Sequence, residues 1–157
     1  ESDGEREDWL QEDELSQVLS ILVINMTPGR NNSEQHLSTM LHLMAEAKNP
    51  RVKHSACYSL SCVEWTPTAV EALETRDPTF TAFRRCLTHP ADDESEGYLC
   101  PFNMLVSEAV RTLANLPMKQ KLLPLQEDLA RLSKDAKLDA DLRVQVRRLL
   151  IDVCTLY

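Results

Sequence analysis

Asn49–Val63 reads NPRVKHSACYSLSCV, and this stretch decides the fold. A short turn ending in Pro50 runs straight into a helix that carries Val52, Ala56, Leu60 and Val63 on one face, at helical spacing. Ala56 is small, and it stands where a neighbouring helix needs close approach. The same texture returns at Phe102–Leu116 (FNMLVSEAVRTLANL) and at Asp141–Val153 (DLRVQVRRLLIDV). In each copy an apolar or small residue is followed by a basic or polar one, then by Leu three or four residues on. A pattern that returns in this way is an internal repeat of stacked helices.

The rest of the chain agrees with helix. Leu, Ala, Glu, Gln, Lys and Arg are common, only three of the 157 residues are Gly, and no run of alternating β-branched residues is long enough for a sheet. From Glu14 the positions Leu15, Val18, Leu19, Leu22, Val23 and Met26 follow helical periodicity until Pro28-Gly29 stops them. A second helix opens near Ser33 with Leu37, Met40, Leu41 and Met44 inward. Lys48-Asn49-Pro50 then turns the chain into 51–65, making an αα-hairpin. Thr66-Pro67 and Asp77-Pro78 each read as a capping residue followed by Pro at the first helical position. They start short helices at 67–75 and 78–88, the second with Phe80, Phe83 and Leu87 inward. An acidic loop, HPADDESEGYLCP at 89–101, precedes the helix 102–116. A last hairpin is expected at 120–134 and 139–157, with Pro124 in the first turn of its first helix.

These repeats resemble the final helix of an armadillo or HEAT repeat, and 33–65 is the most HEAT-like unit. The resemblance covers residues 14–157 and implies an all-α fold, a right-handed stack of about eight helices in αα-hairpins of solenoid type. Residues 1–13 form a separate acidic leader. The resemblance also implies a protein-interaction scaffold or adaptor that binds a peptide or helix of a partner. In armadillo repeats an Asn in the third helix holds the backbone of an extended peptide. Asn115 matches that place, whereas Cys62 and Asp152 occupy it in the other two copies. A VHS-like or polymerase-tail-binding eight-helix domain has the same size and helix number. A structural subunit, completing a larger solenoid or self-associating through its C-terminal helix, is the reading from another class.

Charge narrows the partners. Residues 1–15 hold eight carboxylates against one Arg, so −7 of the net −8 lies in these fifteen residues and the remainder is nearly neutral. A non-specific nucleic-acid binder would show a basic excess, so no nucleic acid is expected. No apolar run reaches the roughly 18 residues of a membrane span, so no membrane partner is expected either. Five Cys, an odd number without the pattern of a small secreted domain, point to reduced thiols in an intracellular protein, cytoplasmic or nuclear.

One row of residues carries the functional expectation. Aligning the three repeat helices places Tyr58, Arg111 and Arg148 at equivalent positions, with His54, Glu108 and Gln145 one turn earlier. Trp65 and Asn115 extend the row. Arg and Tyr are favoured anchors of protein interfaces, so Tyr58, Trp65, Arg111, Asn115 and Arg148 are the candidate partner-binding residues, with an acidic or amphipathic segment as the ligand. Catalysis is not expected. The chain has no glycine-rich phosphate loop, no GxSxG and no HExxH, and its carboxylates cluster in the leader and acidic loop. His54, Cys57 and Cys62, or Cys86 and His89, have spacings seen in zinc sites. Cys57 and Cys62, however, lie about 140° apart around a helix, so neither metal nor cofactor is expected.

Overall fold

Asn49 and Pro50 open the central helix. The Asn49 side chain accepts a 2.9 Å hydrogen bond from the Arg51 N–H, and Pro50 fills a first-turn position where its missing N–H costs nothing. The computed structural model describes residues 17, 19, 34–88 and 101–155. Gln17 and Leu19 are helical, and beyond them come seven α-helices, two 3-10 turns and, among the described residues, no strand. The helices are α1 (Glu34–Glu46), α2 (Pro50–Ser61), α3 (Pro67–Arg76), α4 (Thr81–Cys86), α5 (Pro101–Ala114), α6 (Gln126–Leu132) and α7 (Ala140–Thr155). The 3-10 turns Lys119–Lys121 and Leu123–Leu125 lie between α5 and α6. The leader, the helix expected from Glu14 to Met26 apart from Gln17 and Leu19, most of the acidic loop and the last two residues fall outside the described residues.

The most extensive pairing is α2 against α5, followed by α1 against α2 and α6 against α7, while α7 also packs on α5. Ala56 and Ala109, both fully buried, supply the small surfaces that let α2 and α5 come close. The Cys57 thiol meets the Thr112 hydroxyl across this seam at 3.8 Å. Leu60 and Leu113 are also fully buried. Burying a side chain of this size contributes about 1.5–3 kcal/mol, so the seam is a principal source of stability. One core continues from Leu37 in α1 to Val153 in α7. Of the described residues at the apolar helical positions named above, all are buried except Leu19, which is 52% exposed.

Polar contacts tie the ends of helices together. α1 has no basic residue in its own last turn, and its carbonyls are met from elsewhere. Lys53 Nζ donates to Met44 O and Ala45 O at 3.0 and 3.3 Å, and Arg85 donates to Ala45 O at 3.2 Å and to Glu46 at 2.7 Å. Cations at this end also complement the helix dipole. On the far side of the core Asp128, nearly buried, accepts from Arg84 at 3.1 Å and from Arg131 at 3.2 Å, joining α4 to α6.

Two expected elements differ from their reading. The fourth helix starts at Thr81 rather than at Pro78, because Phe80 takes a left-handed conformation (φ 55°) that breaks the path from Pro78. Asp77 still caps this helix from outside it. Its carboxylate accepts from Thr81 N at 2.8 Å and from Ala82 N at 3.1 Å. The helix expected at 120–134 begins only at Gln126. Pro124 lies within the second 3-10 turn, and the chain ahead of α6 winds as two tight turns instead of α-helix.

Candidate functional site

α2, α5 and the start of α7 line one shallow groove of about 300 Å³. His54 enters from α2, Glu108 from α5 and Gln145 from α7. These are the three positions that the repeat alignment makes equivalent, so the structure brings together one complete row. Asn103, Met104 and Ser107 line it further along α5, and Asp139, Asp141 and Leu142 where α7 begins.

Of the next row, Tyr58 and Arg111 meet. The Arg111 guanidinium carbon lies 5.9 Å from the centroid of the Tyr58 ring, within the range of a cation–π contact. Tyr58 is 45% exposed although it stands on the helix that forms the central seam. Arg111 Nη2 also donates to Glu108 Oε1 at 2.6 Å, one turn back along α5. That bond holds the Arg111 guanidinium pKa above its ordinary range, and the neighbouring Glu108 charge acts in the same direction. The pairing has a sequence signal, since residues three apart face each other on a helix.

The other candidates are placed less uniformly. Arg148 is exposed on α7 and makes no ion pair among the described residues. Asn115 is exposed just past the end of α5. Its N–H reaches back to Arg111 O and Thr112 O, which terminates the helix and leaves its side chain at the surface. Trp65 is partly buried against the core beyond the end of α2, so it contributes to packing as well as to the surface. Met104, Asp139 and Asp141 were missed as groove residues. Met104 belongs to an apolar helix and is exposed on it, and the two Asp lie at a turn whose approach to α5 depends on tertiary packing.

Two of the thiols, Cys57 and Cys86, are closed off from chemistry. Cys57 and Cys86 are buried; burial pushes the Cys57 thiol well up from its ordinary pKa and raises that of Cys86 to about 12. Thiolate is the nucleophilic and metal-binding form, so both are inert in the folded chain. Among the described residues no group of three or more His, Cys, Asp and Glu could hold a metal ion, and no helix is long and apolar enough to cross a membrane. Compared with family models, with curated proteins and with solved structures, the chain matches none.

Proposed function

We propose that this chain is a protein-interaction module, not an enzyme, which binds an amphipathic segment of a partner along α2, α5 and α7. The supporting observation is the convergence of equivalent turns. His54, Glu108 and Gln145 share one groove, and Tyr58 and Arg111 touch beside it. An armadillo/HEAT-type right-handed stack is the architecture we infer with this reading, because that arrangement sets repeat helices side by side. Tyr58, Arg111 and Arg148 then anchor the ligand, with Asn115 and Trp65 at its edge. An acidic residue of the ligand would meet Arg148 first, since Arg111 already has Glu108 as a partner. An intracellular setting, cytoplasmic or nuclear, goes with the buried thiols.

The test is capture from cells with the wild-type chain and with the triple variant Tyr58→Ala, Arg111→Ala and Arg148→Ala. The expected result is a partner held by the first and lost by the second at equal melting temperature. Equal capture by both would refute the assignment of this face.

A structural subunit is the second reading, and one observation favours it. Val144 and Ile151, 43% and 59% exposed, lie one above the other on the face of α7 turned away from its buried residues. A further repeat or a second copy would cover them. Light scattering separates the readings: a monomer supports the interaction module, and a dimer that Ile151→Glu dissociates supports the subunit.

A further inference from the structure

We propose that α3 is a lid that opens by itself while the rest of the core stays folded, uncovering the part of α1 on which it packs. Opening of this kind is independent of the partner-binding face. Of the ten residues of α3 only Leu73 is buried, against five of twelve in α2, nine of fourteen in α5 and three of six in neighbouring α4. Ala69, Val70 and Ala72 rest on the core but are only partly covered. Helices shorter than about 12–15 residues are marginal in water by themselves, so α3 depends on that packing, which is mainly against α1. A segment with little buried apolar surface opens at a lower free energy than the core around it.

The closed position is also imperfect. Lys121 Nζ donates to Glu74 Oε2 at 2.9 Å, an ion pair in which both side chains stay part-exposed. The other oxygen, Oε1, is buried and has no hydrogen-bond partner among the described residues. A buried acceptor without a donor is a cost that opening removes. Where the end of α3 meets α1, a cleft of about 240 Å³ remains between Leu41, His42 and Ala45 of α1 and Arg76, so packing does not close the seam there. Both ends of α3 are separated from its neighbours. Pro67 follows Thr66 at one end, where α2 has already terminated at Cys62. At the other end Asp77 holds the Thr81 and Ala82 N–H groups and Phe80 is buried at φ 55°, so α4 is capped and anchored from the turn and not from α3.

The experiment is native-state amide hydrogen exchange of the whole chain, read by nuclear magnetic resonance at a series of urea concentrations below the unfolding transition. The expected result is that the amides of 71–76 exchange about tenfold or more faster than the slowest amides of α2 and α5. Their rates should also depend less on urea, because opening α3 exposes less surface than unfolding the chain. The amides of 84–87, in α4 and its cap, stay with the slow set. The thiol introduced by Leu73→Cys gives a second reading within one molecule, since Cys57 on α2 and Cys86 on α4 are buried and report opening of the core. In mild urea it should react about tenfold or more faster than either of them. Exchange of 71–76 with the rate and urea dependence of α5, loss of protection in α4 together with α3, or equal labelling of the three thiols would overturn the lid. Amides of 71–76 with no protection at all would overturn it too, since such a helix never closes.

Discussion

Replacing Asp77 by Ala should destabilise the chain by about 2–3 kcal/mol, although the residue lies in no helix and touches no candidate site. The magnitude comes from its two acceptors. Oδ1 takes the Thr81 N–H at 2.8 Å and Oδ2 takes the Ala82 N–H at 3.1 Å. Losing a cap costs about 0.5–2 kcal/mol, and water can replace the bond at half-buried Thr81. Ala82 is buried, so its N–H stays without a partner and adds about 1–3 kcal/mol. Asp77→Asn keeps one carbonyl acceptor and should cost about half as much. In a chain of this size the Ala variant should melt roughly 4–12 °C lower. Urea unfolding followed by far-ultraviolet circular dichroism gives the comparison, with an unchanged m-value showing that only stability has moved. A loss below about 0.5 kcal/mol, the level of an ordinary surface substitution, would refute the capping account. So would equal effects of Ala and Asn.

Leu60→Asp and Leu113→Asp should each unfold the chain, since both side chains are fully buried and an unpaired buried carboxylate costs several kcal/mol against roughly 5–15 in total. Wild-type melting temperatures for both would contradict the α2–α5 seam. Among the described thiols, alkylation at neutral pH should modify exposed Cys154 first and half-buried Cys62 next, leaving Cys57 and Cys86 until the chain unfolds. Mass spectrometry of the digested chain reads that order, and early modification of Cys86 would break it. Stability should also decline in alkali. The Cys86 thiol ionises near 9 in the unfolded chain and only near 12 when folded, so its contribution is intact below about pH 9 and shrinks as pH rises toward 12. Cys86→Ala should flatten that decline, and an unchanged slope would show the thiol is not responsible.

The core was legible because its positions obey a single period. Val52, Ala56 and Leu60, and equally Leu105, Ala109 and Leu113, recur at helical spacing and are buried as that spacing requires. The row His54, Glu108 and Gln145 was legible for the same reason, since equivalent turns of similar helices are brought to one side. Local backbone exceptions were not legible. Phe80 at φ 55° has no sequence signal, because the left-handed region favours Gly and Asn and a buried aromatic is held there by its packing. Asp77-Pro78 reads as the start of a helix, and only the turn through Phe80 moves that start to Thr81. Asp139 and Asp141 belong to the groove through the packing of α7 on α5, which no one-dimensional spacing records. Trp65 was read as a surface anchor, but the bulk that makes an aromatic a good anchor also makes it a good lid on the core.

Site-specific photocrosslinking tests the central claim, that α2, α5 and α7 present one partner-binding face, most directly. A photoreactive phenylalanine analogue would replace Tyr58 or Met104 on that face, both 45% exposed, or Glu71, exposed on α3, as the control. The account predicts one discrete crosslinked partner in cells from positions 58 and 104 and none from position 71. Crosslinks from position 71 alone, or equally from all three, would contradict it.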